Sequence, residues 1–180
     1  MSNVLLITVV LVLVSTIAFA QPGSIGIFAD DAATNCNLPD VQGFDFYYII
    51  HVDMMNSTGV MYRAAPPACF TGQWFIDQNL FAAVGDSQTG VSVDYGACLS
   101  GNRVLQIMGF INAGTTSNCC YWTVGPHPSA PSGKIEATDC LDQTVYPTGG
   151  QGIVNALPSC DCNVPVEDTT WGKVKALYAE

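Results

Sequence analysis

The chain of 180 residues carries 15 acidic and five basic side chains, for a formal charge of −10, together with eight cysteines. So few Lys and Arg exclude a nucleic acid or an anionic membrane surface as partner, because both are held through clustered cations. Twelve of the acids are Asp and three are Glu, with only three Lys. Asp favours turns, whereas Glu and Lys fill helix faces, so a chain poor in helix is expected.

At the N-terminus, MSNVLLITVVLVLVSTIAFA has an apolar run from Val4 to Val14 and ends in Ala18-Phe19-Ala20. That run is shorter than the ~20 residues needed to span a bilayer, and the small-x-small ending marks a cleavage site. Residues 1–20 are therefore expected to be a signal peptide, a membrane anchor being the alternative. The expected setting is extracellular, cell-surface or periplasmic, with no membrane contact beyond the signal. Residues 21–165 form one domain in this reading and 166–180 a separate tail.

All eight cysteines follow the cleavage site: Cys36, Cys69, Cys98, Cys119, Cys120, Cys140, Cys160 and Cys162. An even number in an exported chain points to disulfides rather than thiols or zinc. Adjacent Cys119 and Cys120 could join each other only through a strained ring, so separate partners are expected. Cys160 and Cys162, two apart, face opposite sides of an extended segment and should also part company. The pairing itself stays open.

Between the cysteines lie short segments of β-formers: Ser24–Ala29, Phe44–Val52, Val60–Ala64, Phe81–Val84, Val91–Tyr95, Val104–Ile111, Cys119–Val124, Lys134–Asp139 and Gly152–Ala156. Turn clusters such as Gly85–Gly90, Leu99–Asn102 and Asn112–Thr115 punctuate them. This spacing predicts a mostly β fold, a single antiparallel β-sandwich (Ig-like or jelly-roll-like) stapled by disulfides. In Phe44–Val52 the residues Phe44, Phe46, Tyr48, Ile50 and Val52 share the apolar face, and Asp45, Tyr47, Ile49, His51 and Asp53 the half-polar one. Burial of the first set is the natural expectation.

Chemical candidates are sparse. His51 and Asp53 have the His-x-Asp spacing that could orient an imidazole as a general base, against the plain reading of a surface strand residue. Asp30 and Asp31 sit in an oxygen-rich loop of the kind that holds calcium outside cells, although turn-forming Asp explains them as well. No other cofactor is called for. Tyr121 and Trp122 are consecutive on a strand, so one ring of the two is expected to be exposed, in a patch suited to a glycan or a protein.

The tail VEDTTWGKVKALYAE places Trp171, Val174 and Tyr178 on one helical face, with Lys173 and Lys175 toward its end. A short amphipathic helix is expected there, either docked on the domain or serving as a sorting tag. GSIGIFADDAATNC after the signal, VDYGACL in the middle and TTWGKVKALY at the end resemble a group of uncharacterised secreted proteins from environmental bacteria. The resemblance implies an extracytoplasmic bacterial setting and carries no activity. The functional expectation is a non-catalytic protein of binding, adhesion or extracellular assembly, meeting a protein or glycan at the cell surface or another copy of itself. The alternative is a secreted hydrolase of unfamiliar type, with or without calcium.

Overall fold

In the computed structural model, which describes residues 22–162, the chain forms eleven strands. These are β1 (Ser24–Phe28), β2 (Asn37–Leu38), β3 (Gly43–Tyr62), β4 (Gln73–Asn79), β5 (Ala82–Asp86) and β6 (Gly90–Asn112). They are followed by β7 (Cys120–Thr123), β8 (Glu136–Asp139), β9 (Thr144–Val145), β10 (Thr148–Gly149) and β11 (Gln151–Val154). The expected signal peptide and the expected tail helix with Trp171 lie outside the described residues.

Two strands organise the rest. β3 has 20 residues and β6 has 23, and they pair antiparallel from end to end. A straight strand of that length would run about 65 Å. A domain this size has a radius of gyration of about 14 Å, so the ribbon must fold back. It does so between Asp53 and Asn56 on one strand and Gly96 and Gly101 on the other, all four at positive φ (51°, 47°, 67° and 81°). The register of the pair shifts repeatedly over the same stretch. Side chains replace the broken ladder there: Asn102 Oδ1 accepts from the Asp53 amide and Ser100 Oγ from the Asn56 amide, both at 2.9 Å. The stretch expected to be a free turn, Leu99–Asn102, is this bend within one continuous strand.

Folding back makes the sandwich. The first half of β3 and the second half of β6 form one layer with β1, β4 and β10, while their other halves pair with β5 and β8. The facing halves touch across the core, where Tyr95 Oη lies 2.9 Å from His51 Nδ1 and the Tyr62 hydroxyl donates to Gln106 Oε1 at 3.4 Å. A three-stranded sheet, β2-β11-β7, is tied on through the Gly150 amide to Ile25 O and through reciprocal backbone bonds between Arg63 and Gly125. Most pairs are antiparallel, as expected, but β1–β10 and β2–β11 are parallel. These short parallel contacts arise where the chain returns along a sheet edge after β9.

At the centre, the rings of Tyr47, Phe70, Phe110 and Trp122 pack with centroids 4.9 to 6.2 Å apart. Trp122 Nε1–H donates to Ala64 O at 3.0 Å and the Tyr47 hydroxyl to Pro39 O at 2.6 Å, so both polar tips are satisfied inside. Four disulfides surround this core: Cys36–Cys162, Cys69–Cys120, Cys98–Cys140 and Cys119–Cys160. The two cysteine neighbours separate as the sequence required. Cys98–Cys140 fastens the ribbon bend to the end of β8, and Cys69–Cys120 anchors the loop before β4 beside Phe70 and Trp122. Replacing both members of the Cys69–Cys120 pair, 51 residues apart, by Ala should lower unfolding stability by about 2–4 kcal/mol in urea titrations.

Candidate functional site: an aromatic sheet face

The layer built on β1, β3, β6 and β4 has an inner and an outer face, and the ribbon chooses between them against expectation. The inner face of β3 is the half-polar one, carrying Tyr47, Ile49 and His51, all fully buried. Phe44 and Phe46 turn outward and are 68% and 49% exposed. The reason lies in partners. Asp45 Oδ2 accepts from Asn112 Nδ2 at 2.6 Å, Tyr47 reaches Pro39, and His51 is held at both ring nitrogens. A polar face with its hydrogen bonds supplied can therefore be buried.

Register assembles the outer face into rows. Phe44 lies opposite Ile111, itself opposite Gln73; Phe46 lies opposite Gly109, itself opposite Ile76; Tyr48 lies opposite Ile107, itself opposite Gln78. No residue in these rows is charged. β4 carries a bulge between Trp74 and Ile76, so Phe75 and Ile76 both lean over Gly109. The Phe75 ring meets Phe44 at 5.5 Å and Phe46 at 6.2 Å, edge to face in each case. A Cβ at Gly109 would come within 2.7–2.9 Å of Ile76 Cγ2 and the Phe75 ring, so the glycine is what lets the ring lie flat there. Trp74, at the open edge, is pinned by its Nε1–H to Asp77 Oδ1 at 2.9 Å. The product is a contiguous apolar, aromatic surface beside a β4 edge that is unpaired among the described residues.

Residues singled out in the sequence fall elsewhere. His51 is wholly buried; Pro22 O can only accept, so Nε2 carries the proton at 2.9 Å and Nδ1 accepts from Tyr95. Asp53 sits exposed at the bend and makes no hydrogen bond to His51. Asp30 closes its own loop: its carboxylate accepts from the Ala32 and Thr34 amides and the Thr34 hydroxyl, at 2.9 to 3.0 Å. Partial burial raises its pKa, but those hydrogen bonds outweigh it and leave the carboxyl below its ordinary value. Asp31 is exposed beside it. Of the consecutive pair on β7, Tyr121 is exposed and Trp122 buried, on opposite faces as β-geometry demands. Tyr121 lies on the small sheet, away from the Phe44–Phe75 face. Among the described residues, no three His, Cys, Asp or Glu side chains converge as a metal-binding group, and no helix is long and apolar enough to cross a membrane.

Phe75, Ile76 and Ile111 were not among the sequence candidates. The bulge breaks the alternation of Gln73–Asn79, which is why no strand is expected there from period-2 patterning. The one available signal was the apolar run within it, set next to Gly72 and Asp77.

Fold and face together define the class: a disulfide-stapled β-sandwich presenting an aromatic sheet surface. Among solved structures it is similar to a non-cellulosomal cohesin from the hyperthermophilic archaeon Archaeoglobus fulgidus, with TM-score 0.50 and 14% identity over 76% of this chain and 91% of that one. A type II cohesin domain from the Acetivibrio cellulolyticus cellulosome aligns over 73% of this chain and 94% of its own, with TM-score 0.48 and 13% identity. The sixth cohesin of scaffoldin B from the same organism, solved in complex with Cel5 dockerin, gives TM-score 0.48 and 12% identity over 74% and 98%. At such identities the likeness, carried by the archaeal structure, is one of fold. No protein-family model matches the sequence, and neither does any curated protein.

Two outcomes follow from this geometry. Gly109→Ala should push Phe75 off the face, seen as shifted aromatic resonances of Phe44 and Phe46, while unfolding free energy changes by less than about 1 kcal/mol. Burial holds the His51 pKa below its ordinary 6.5, opposed by the hydrogen bond to Pro22. As pH falls below 6.5 the unfolded chain binds the proton that the fold resists, so His51's contribution to stability, complete above that pH, declines with acidification. An NMR titration placing the imidazole midpoint above 6.5 would contradict this.

Proposed function

We propose that this protein is a non-catalytic binding module that works outside the cytoplasm in protein–protein assembly, through the aromatic face of β3, β6 and β4. The observation that carries the reading is the exposed, uncharged cluster of Phe44, Phe46, Phe75, Ile76 and Ile111 on a rigid sheet. Aromatic side chains with few rotamers, grouped without charge, are what the centre of a protein interface uses. Two further facts support it. Four disulfides suit an oxidising compartment, and the fold is that of a protein called a cohesin. A hydrolytic role for His51 has no support from its position, since both nitrogens are engaged and no surface of the ring meets solvent.

The test is a photo-crosslinking benzoylphenylalanine at position 44, with Thr89 in the β5–β6 turn as control site, applied to the protein in its native secreted fraction. A discrete protein adduct at position 44 that is absent at 89 is expected. Phe46→Asp in the same background should reduce it at least ten-fold while leaving the melting temperature within a few degrees. Equal adducts at both sites, or insensitivity to Phe46→Asp, would overturn the reading.

A further inference from the structure

We propose that the segment between β2 and β3, together with the end of β6, binds a calcium ion through Asp40, Asn112 and Asp45. This place is separate from the Asp30–Asp31 loop and does not depend on the function proposed above. Asp40 is 9% exposed and Asn112 3%, and the Oδ1 atom of each is buried without any hydrogen-bond partner. Every other polar atom of the pair is committed. Asp40 Oδ2 accepts from the Thr116 amide at 2.8 Å. Asn112 Nδ2 donates to Asp45 Oδ2 at 2.6 Å and to Tyr47 Oη at 2.8 Å.

The Asn112 amide cannot be turned round to remove its orphan oxygen. Its nitrogen faces a carboxylate, and a Tyr47 hydroxyl already spent as donor on Pro39 O at 2.6 Å, so both need a donor from Asn112. The oxygen must point the other way, toward Gly72. A Cβ at position 72 would collide with Asn112 Oδ1 and with the Phe70 ring, so only glycine fits where that oxygen packs.

The same residues form one neighbourhood around Tyr47. Burial raises its phenol, against the hydrogen bond from Asn112, and the charges of Asp45 and then Asp40 add to the rise. Asp45 uses only Oδ2, toward the Val41 amide and Asn112. Among the described residues no Lys or Arg pairs with these carboxylates. The basic side chains among the described residues are engaged elsewhere: Arg63 with Gln88 O, Arg103 with Asn102 O, and Lys134 over the Tyr146 ring.

A buried carboxylate oxygen and a buried amide oxygen can only accept, so what completes them is a donor or a cation. A water molecule would supply hydrogen bonds and leave the buried charge uncompensated, whereas a cation coordinates the oxygens and neutralises the charge. The donors are all hard oxygens, two carboxylates and an amide carbonyl, which suits calcium. Magnesium demands a tighter octahedron and keeps its own water.

The test uses the full chain with its disulfides intact. Calcium at about 100-fold above its dissociation constant should raise the melting temperature by roughly 5 °C or more over EDTA, with magnesium at the same concentration doing less. Terbium bound here should luminesce on excitation of Tyr47 and Trp122, whose rings are 5.7 Å apart, and calcium should quench that signal by displacement. Asp40→Asn should abolish the sensitised signal and the calcium shift, and Asp30→Asn should preserve both. If Asp40→Asn does not fold, Asp45→Asn should weaken calcium at least ten-fold. Identical melting of the wild type in calcium and EDTA would show that the two oxygens are met by water only. Loss of the signal in Asp30→Asn with retention in Asp40→Asn would place the ion elsewhere. Either result overturns the proposal.

Discussion

The fold depends on one antiparallel pairing that is too long for its domain. β3 and β6 stay in register over most of their length, and only the bend at Asp53–Asn56 and Gly96–Gly101 reconciles that pairing with a compact core. Once the ribbon folds back, its halves face each other, and Tyr47, Ile49, His51, Tyr62 and Val91 on them are fully buried. Tyr95 then meets His51 and Tyr62 meets Gln106, so polar groups that would be costly inside are paired across the core. β1, β4, β5 and β8 add to ribbon edges already fixed, and Cys98–Cys140 fastens the bend itself.

Much of this was legible in the sequence, and the failures have physical causes. Alternation in Phe44–Val52 located a strand and sorted Phe44 to Ile49 into two faces. A register shift between Ile49 and Ile50 then breaks the pattern, and Ile50 is fully buried. Alternation could not say which face turns inward, because that depends on whether Asp45, Tyr47 and His51 find partners from segments as distant as Asn112, Pro39 and Tyr95. Counting apolar residues favours burying Phe44 and Phe46, and hydrogen-bond satisfaction decides otherwise. For the same reason His51 resembled a surface candidate and is an interior one. Tyr121 and Trp122 carried no such ambiguity, since two consecutive strand residues must part whatever the partners are. The cysteine neighbours were equally constrained by covalent geometry. β4 was hidden because a bulge erases period-2 patterning, and Leu99–Asn102 misled because a bend uses the residues of a turn.

The outward placement of aromatics then acquires a meaning that composition alone lacks. Exposed Phe side chains scattered singly are ordinary, but three from two strands, brought into contact over a glycine, are a constructed surface. Its last row, Phe44 opposite Ile111, is flanked in the chain by Asp45 and Asn112, which point inward into the oxygen-rich neighbourhood of Tyr47. An ion there would stiffen the end of the aromatic face from behind. The proposed recognition surface and the candidate cation site are thus two sides of the same strand ends, beside a β4 edge that is unpaired among the described residues.

The orientation of β3 underlies all of this and can be read directly. Hydroxyl-radical footprinting of the isolated, oxidised protein, resolved by residue in mass spectrometry, compares neighbours on the same strand under one condition. Rapid labelling at Phe44, Phe46 and Phe75 with protection of Tyr47 and Trp122 is the predicted pattern. Protection of Phe44 and Phe46 with labelling of Tyr47 would turn the strand over, place the aromatics in the core, and contradict the account.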